Sequence, residues 1–129
     1  MRILIIKTSS LGDILHSFPA IEDIKKNYPE SRVDFLVDST FLNTAKLNKS
    51  IDHFFPISLR EKKNQSLIKR LKNLNDEINT SFKNITYDFV IDFQGLMRTQ
   101  IIGSKIKKIS SAKNLSLIHI SEPTRRPII

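Results

Sequence analysis

Thr8-Ser9-Ser10-Leu11-Gly12-Asp13 brings hydroxyls, a glycine and a carboxylate together directly behind the apolar run Met1-Arg2-Ile3-Leu4-Ile5-Ile6-Lys7. Asp13 is the only acid in that turn, placed where a catalytic carboxylate would have to be. A carboxylate at a helix N-terminus is held ionised by the macrodipole and by free backbone N–H groups, and so is ready to accept a proton. General-base catalysis of this kind is commonly worth about two to four powers of ten in rate. The competing role for Asp13 is a helix cap, and position alone favours the cap. Thr8, Ser9 and Ser10 either offer hydroxyls and N–H groups to a ligand or shape the loop. Lys7 ends the apolar run, facing the same edge or snorkelling into solvent. His16, one turn past Asp13, either orients that carboxylate or packs against it.

A second group of polar residues lies downstream. Asp92 and Gln94 close the run Tyr87–Phe93, and Arg98 follows one helical turn later, able to make a bidentate contact to a carboxylate or phosphate. Arg60, Lys62 and Lys63 form a basic loop, which is either an anion-binding stretch or a solvated surface. Several familiar chemistries lack their signatures. Neither G-x-x-x-x-G-K-[ST] nor G-x-G-x-x-G occurs in the first turn, and no G-x-S-x-G elbow occurs anywhere. His16 and His53 lack metal-ligand spacing and the Asp residues are scattered, so no metal is expected.

The elements needed to position these groups can be read from apolar periodicity. Arg2–Lys7 is continuous rather than alternating, as in a strand buried on both faces. From Gly12 to Asn27, Ile14, Leu15, Phe18, Ile21 and Ile24 recur along one helical face, with Pro19 implying a bend or a late start. Tyr28–Ser31 is a turn, Val33–Val37 a second strand, and Ser39-Thr40 can cap a short helix through about Leu47. Ile51–Ile57 is a weaker strand broken by Pro56. Ser66 to about Phe82 is an amphipathic helix, Tyr87–Phe93 the clearest later strand, and Leu96 to about Ile109 a basic helix. Strands alternating with helices imply βαβ units and a parallel α/β sheet, whose ligands bind outside the carboxyl ends of the strands.

Bulk properties agree with one domain. The chain has 129 residues, 40% hydrophobic, enough to form a core. No run approaches the ~20 apolar residues of a membrane span, and a strand pattern opening at the amino terminus leads us to expect no secretory leader. Cysteine is absent, which excludes disulfides and thiolate metal sites. A balance of 21 basic against 13 acidic residues gives +8, suiting an anionic partner such as nucleic acid, an acidic lipid headgroup or a phosphorylated sugar.

Residues 115–129 read differently. Leu115-Ser-Leu-Ile-His-Ile-Ser-Glu-Pro-Thr-Arg125 looks like a one-frame translation of a common transposase-based sequencing adapter, with the last residues deriving from an index. The native segment is then 1–114, and 115–129 is a non-native tail expected to have no consistent fold. The chain stays strongly basic without Arg125, Arg126 and Glu122.

Lys7-Thr8-Ser9-Ser10-Leu11-Gly12-Asp13-Ile14-Leu15-His16, then Pro19-Ala20, then Val90-Ile91-Asp92-Phe93-Gln94-Gly95-Leu96 with Arg98, resemble the amino-terminal half of the heptosyltransferases of lipopolysaccharide synthesis (type I, glycosyltransferase family 9) from residue 1 to about 110. The resemblance implies a Rossmann-like half of a two-domain GT-B enzyme, 1–114 being its truncated acceptor-binding domain. It implies inverting transfer of heptose from ADP-heptose to a Kdo sugar on lipid A, with no metal or other cofactor. Such a transfer needs one base for the acceptor hydroxyl while the nucleotide leaves from the opposite face, and the motif makes Asp13 that base. The implied substrate-binding set is Lys7, Thr8, Ser9, Ser10, Gly12, His16, Arg60, Lys62, Lys63, Gln94 and Arg98. Glu61 and the residues after it depart from the family's Arg/Trp-rich pattern. The donor would be held mainly by a carboxyl-terminal domain, and the whole enzyme would sit peripherally at the cytoplasmic face of the inner membrane of a Gram-negative bacterium.

Two other classes compete. A basic α/β nucleic-acid-binding module would fit the charge, but the basic residues are spread over several elements, aromatics make up only 8%, and no recognised motif is present, so no nucleic-acid partner is expected. A phospho-receiver domain would need an acidic cluster around the first strand end, which this sequence lacks.

Overall fold

The computed structural model describes residues 1–58, 66–94, 97–109 and 116–119. The expected alternation is present: β1 (Arg2–Ile6), α1 (Leu11–Asn27), β2 (Arg32–Asp38), a 3-10 turn (Ser39–Phe41), α2 (Leu42–Ala45), β3 (His53–Ile57), α3 (Leu67–Phe82), β4 (Phe89–Asp92), α4 (Met97–Ile109) and β5 (Ser116–His119). All neighbouring strands are parallel, in the order β3-β2-β1-β4-β5. The chain moves outward from β1 to β3, then crosses back to lay β4 on the other side of β1. That reversal makes the carboxyl ends of β1 and β4 the topological switch point, where open α/β sheets bind ligands.

The continuous apolar run of β1 is explained by its two covered faces. Leu4 and Ile6 pack with Leu36, Val90, Ile78, Phe82, Ile102 and Ile106 on the side of α3 and α4. Ile3 and Ile5 pack with Val33, Phe35, Val37, Ile14, Ile21 and Ala45 on the side of α1 and α2. Each such side chain, fully removed from water, stabilises the fold by about 1.5–3 kcal/mol. A one-residue slip of β1 would exchange the two sets, so burial fixes its register.

Several expectations need adjustment. α1 is continuous through Pro19, which is exposed on the helix's outer side. Pro56 does not break β3. Among the described residues that strand is an edge, pairing with β2, where Pro56 aligns with Val37, and an edge tolerates the missing N–H. The turn after β2 is capped by Asp38, whose Oδ1 accepts from the Thr40 N–H at 2.9 Å, rather than by Ser39 or Thr40. Ser66 caps α3, its Oγ accepting from the Lys69 N–H at 3.3 Å.

The largest departure is β5. Ser116–His119 pairs in parallel with β4, from Phe89↔Ser116 to Asp92↔His119, within the segment expected to have no consistent fold. That expectation is corrected. The outer edge of β4 offers unpaired N–H and C=O groups, and a short apolar segment can satisfy them whatever its origin.

At the amino end of the sheet, opposite the switch point, Asp34 is fully buried. It accepts from the Tyr87 hydroxyl at 2.6 Å, from Arg2 Nε at 3.0 Å and from Arg32 Nε at 3.4 Å. The Arg2 guanidinium also lies 5.3 Å from the centre of the Tyr87 ring. Burial first, then the bond to Asp34, hold the Tyr87 hydroxyl protonated far above the ordinary tyrosine range. Its donated proton keeps a buried carboxylate satisfied.

Asp52 ties α1 to β2 by accepting from Lys25 Nζ at 2.6 Å and from the Val33 N–H at 2.8 Å. Burial alone would raise its pKa, but the Lys25 and Val33 hydrogen bonds and the charges of Lys25 and Arg32 outweigh it and hold the carboxyl below its ordinary value. A folded-state pKa below the unfolded one contributes stability above the unfolded pKa of about 3.9, lost as pH falls through the folded value. Asp52→Asn is therefore expected to destabilise the chain near neutral pH and to lose that effect in strong acid. Urea unfolding at both pH values checks this, and a difference independent of pH would count against it.

Candidate active site

Three strands deliver polar residues to the switch-point edge. Lys7 and Thr8 follow β1, Asp38 ends β2 and Asp92 ends β4, and all four are almost completely buried. The β1–β2 ladder extends into this layer, with Lys7 N–H donating to Leu36 O and Asp38 N–H donating to Thr8 O, each at 3.1 Å. Phe93 N–H donates to Ile6 O at 2.9 Å, which carries the β1–β4 pairing one residue beyond β4. Asp92 Oδ1 accepts from the Gln94 N–H at 2.9 Å and shapes the turn out of β4.

Lys7 is only 1% exposed, and its Nζ donates to Phe93 O at 3.1 Å. The snorkelling alternative is thereby overturned. A buried ammonium carries a desolvation penalty of several kcal/mol unless polar partners receive it, and a carbonyl at the end of a strand is such a partner. Thr8 Oγ1 is buried with no hydrogen-bond partner among the described residues. Above this layer the two loops touch. Ser9 N–H faces Gln94 Oε1 at 3.5 Å, and Gln94 Nε2 donates to Ser9 Oγ at 3.4 Å.

Ser10 is the N-cap of α1, and Asp13 occupies the third position of the helix. Asp13 Oδ2 lies 3.2 Å from Ser10 Oγ and 3.5 Å from Ser10 N, both donating to it. The cap anticipated for Asp13 therefore exists, with donors at relaxed distances. The carboxylate is also half-exposed at the positive end of a 17-residue helix. A cap and a base are compatible here, because a carboxylate with two oxygens can accept these bonds and still receive a proton.

Gly12, beside Asp13, is exposed, and a Cβ built there would meet no atom within 4 Å. Nothing packed in the described fold requires a glycine at this position. A bare backbone at a helix N-terminus suits close approach by an outside group. Ser10 and His16 are exposed on the same turns, with Leu11 and Leu15 presenting apolar surface next to them.

Ser9, Ser10, Gly12, Asp13, His16 and Gln94 thus gather at the accessible switch point, with Lys7 and Thr8 in the layer beneath. Arg60, Lys62 and Lys63 lie outside the described residues. Arg98 falls in the first turn of α4, with its side chain outside them. Sequence reasoning overlooked Asp38, although an acid ending a strand before Ser39-Thr40 is a readable turn signal. Among the described residues no His, Asp and Glu side chains cluster as a metal site, and no helix is long and apolar enough to cross a membrane.

No protein-family profile matches the chain. It is 28% identical over 106 residues to lipopolysaccharide heptosyltransferase 1 of Escherichia coli, covering 82% of this chain and 33% of that protein. It is 32% identical over 100 residues to the enzyme of that name from Pseudomonas aeruginosa, covering 77% of this chain and 28% of that one. The solved structure of E. coli heptosyltransferase WaaC with ADP-2-deoxy-2-fluoro heptose superposes with a TM-score of 0.73 at 26% identity, over 94% of this chain and 36% of that chain. The chain thus spans about a third of the length of the curated relatives it matches. The Rossmann-like parallel sheet flanked by helices is the fold that this chain shares with part of that structure.

Proposed function

We propose, from the premise that this chain corresponds to one part of a lipopolysaccharide heptosyltransferase of type 1, that residues 1–114 are its acceptor-binding domain. The whole protein is then an inverting glycosyltransferase moving heptose from ADP-heptose to the Kdo sugar of lipid A. The observation that carries the reading is Asp13, half-exposed at the α1 N-terminus beside an unhindered Gly12, at the switch point of the sheet.

In this reading Asp13 takes the proton from the acceptor hydroxyl as that oxygen attacks the anomeric carbon, and ADP leaves from the opposite face. Ser10, Gly12 and His16 meet the acceptor directly. Ser9 and Gln94 frame the site, and Lys7 and Thr8 support it from below. Arg60, Lys62, Lys63 and Arg98 receive the acceptor's phosphates and carboxylates. The donor is held mainly by the missing carboxyl-terminal part. The complete enzyme works at the cytoplasmic face of the inner membrane, where its acceptor lies.

Acceptor binding is expected to weaken as salt rises, because exposed charge pairs are screened over about 10 Å at 0.1 M. Arg60→Ala and Arg98→Ala are each expected to lower affinity for phosphorylated, Kdo-bearing lipid A and to flatten its salt dependence. Titration of the chain and both variants at low and raised salt tests this. Unchanged binding in both variants would return the two arginines to ordinary surface. Preference for single-stranded nucleic acid over the lipid would replace the transferase reading with the nucleic-acid-binding one.

The same proposal makes residues 115–129 a non-native tail whose strand β5 borrows the open edge of β4. Removing the tail is expected to change unfolding free energy by less than about 2 kcal/mol, the size of a genuine core loss. A larger loss in urea unfolding would mark the segment as part of the native fold.

A further inference from the structure

We propose that Lys7 is a positioning residue that ties the β1–α1 loop to the β4–α4 loop, and that it acts on the site through this tie rather than by contact with a substrate. Lys7 leaves β1 almost wholly buried and directs its ammonium to Phe93 O at 3.1 Å. Phe93 in turn donates its N–H to Ile6 O, so the residue just past β4 is held from both sides by the residues that end β1. The next residue along, Gln94, is the one that reaches Ser9. Ser9 is followed by Ser10, which caps α1 and contacts Asp13. The chain of contacts from Lys7 to Phe93, Gln94, Ser9, Ser10 and Asp13 is thus continuous, each link a hydrogen bond or a peptide bond.

A buried ammonium is an expensive way to fill space, since an apolar side chain of similar length would avoid the desolvation penalty. Methionine would supply that packing but could not donate to the Phe93 carbonyl. What lysine adds here is a directed, charge-assisted hydrogen bond at the strand end. The Ser9–Gln94 contacts are long, at 3.4 and 3.5 Å, and too weak to align two loops unaided. They need a loop already held in place, and the Lys7–Phe93 contact is the side-chain link from β1 that joins the backbone bond of Phe93 to Ile6 and the Asp92–Gln94 turn in holding it.

The consequence for catalysis rests on the reading of Asp13 as the base, whereas the tie itself can be tested in this chain without any transferase activity. The experiment is NMR on Lys7→Met and Lys7→Cys. The chain has no native cysteine, so the single thiol of Lys7→Cys can be alkylated with 2-bromoethylamine in the unfolded state. Refolding then restores an ammonium of almost the same reach at this position.

In Lys7→Met the core amides of β1, β2 and α1 are expected to keep their protection. The cross-loop contact between the Gln94 side-chain amide and Ser9 should disappear, and exchange at the Ser9 amide should rise a few-fold to about tenfold, the loss of one hydrogen bond. The alkylated Lys7→Cys chain is expected to regain both signals. Unchanged Ser9 and Gln94 signals in Lys7→Met would overturn the tie. Loss of core protection throughout Lys7→Met would overturn it too, making Lys7 a general structural cation. An alkylated chain that fails to regain the two local signals would overturn the requirement for the ammonium. A tie that holds while Asp13→Asn stays active in the complete enzyme would instead locate the failure in the assignment of Asp13 as the base.

Discussion

Asp13→Asn, made in the complete enzyme, is expected to lower turnover by about two to four powers of ten while leaving acceptor binding almost unchanged. Asparagine has the same shape as aspartate, and its amide oxygen can accept from Ser10 N and Ser10 Oγ as Asp13 Oδ2 does. The capping function therefore survives the substitution to a large extent. What is lost is basicity, because an amide cannot take a proton near neutral pH. If Asp13 were only a cap, stability would drop by about 1 kcal/mol at most and turnover would stay within a few-fold. Turnover and thermal unfolding, measured on this one variant, separate the two roles. A substantially active Asn variant at parental stability would remove Asp13 from the chemistry.

The elements around the site were legible because burial dictates them. β1 reads as an unbroken apolar run since both its faces are covered, and α1 carries Ile14 and Ile21 at helical spacing toward the same layer. Alternation of strands with helices makes the sheet parallel and so puts the β1 and β4 loops on one edge, whereas the strand order that makes this edge a switch point was visible only in the structure. The polar layer beneath that edge was less legible. A lysine at a strand end ordinarily reaches water, and only the three-dimensional position of Phe93 O shows why this one is buried. The meeting of Ser9 with Gln94 spans 85 residues, a separation that no local pattern encodes. Pro56 misled because its cost depends on whether the strand is central or at an edge. β5 escaped because edge pairing asks only for a short apolar stretch and an open neighbour.

Residues 1–114 alone are expected to transfer no heptose, however well they bind the acceptor. The chain accounts for only about a third of the length of its curated relatives, and on the proposed reading Asp13 supplies only the base of a two-substrate reaction. The remaining requirement is a donor held with its anomeric carbon in line with the acceptor hydroxyl. Holding two reactants in a near-attack arrangement is worth roughly 7–11 kcal/mol in favourable cases, more than a positioned base contributes on its own. A base without that arrangement has only donor molecules arriving from solution, and its acceleration is lost in the background. ADP release from ADP-heptose, followed with and without Kdo-bearing lipid A, measures this directly. Acceptor-dependent turnover by 1–114 would mean that the described edge of the sheet binds both substrates, and the two-domain reading would fall. Turnover that appears only when the segment is joined to the rest of its own gene product, and that disappears again with Asp13→Asn, would assign the base to this domain and the donor to the other.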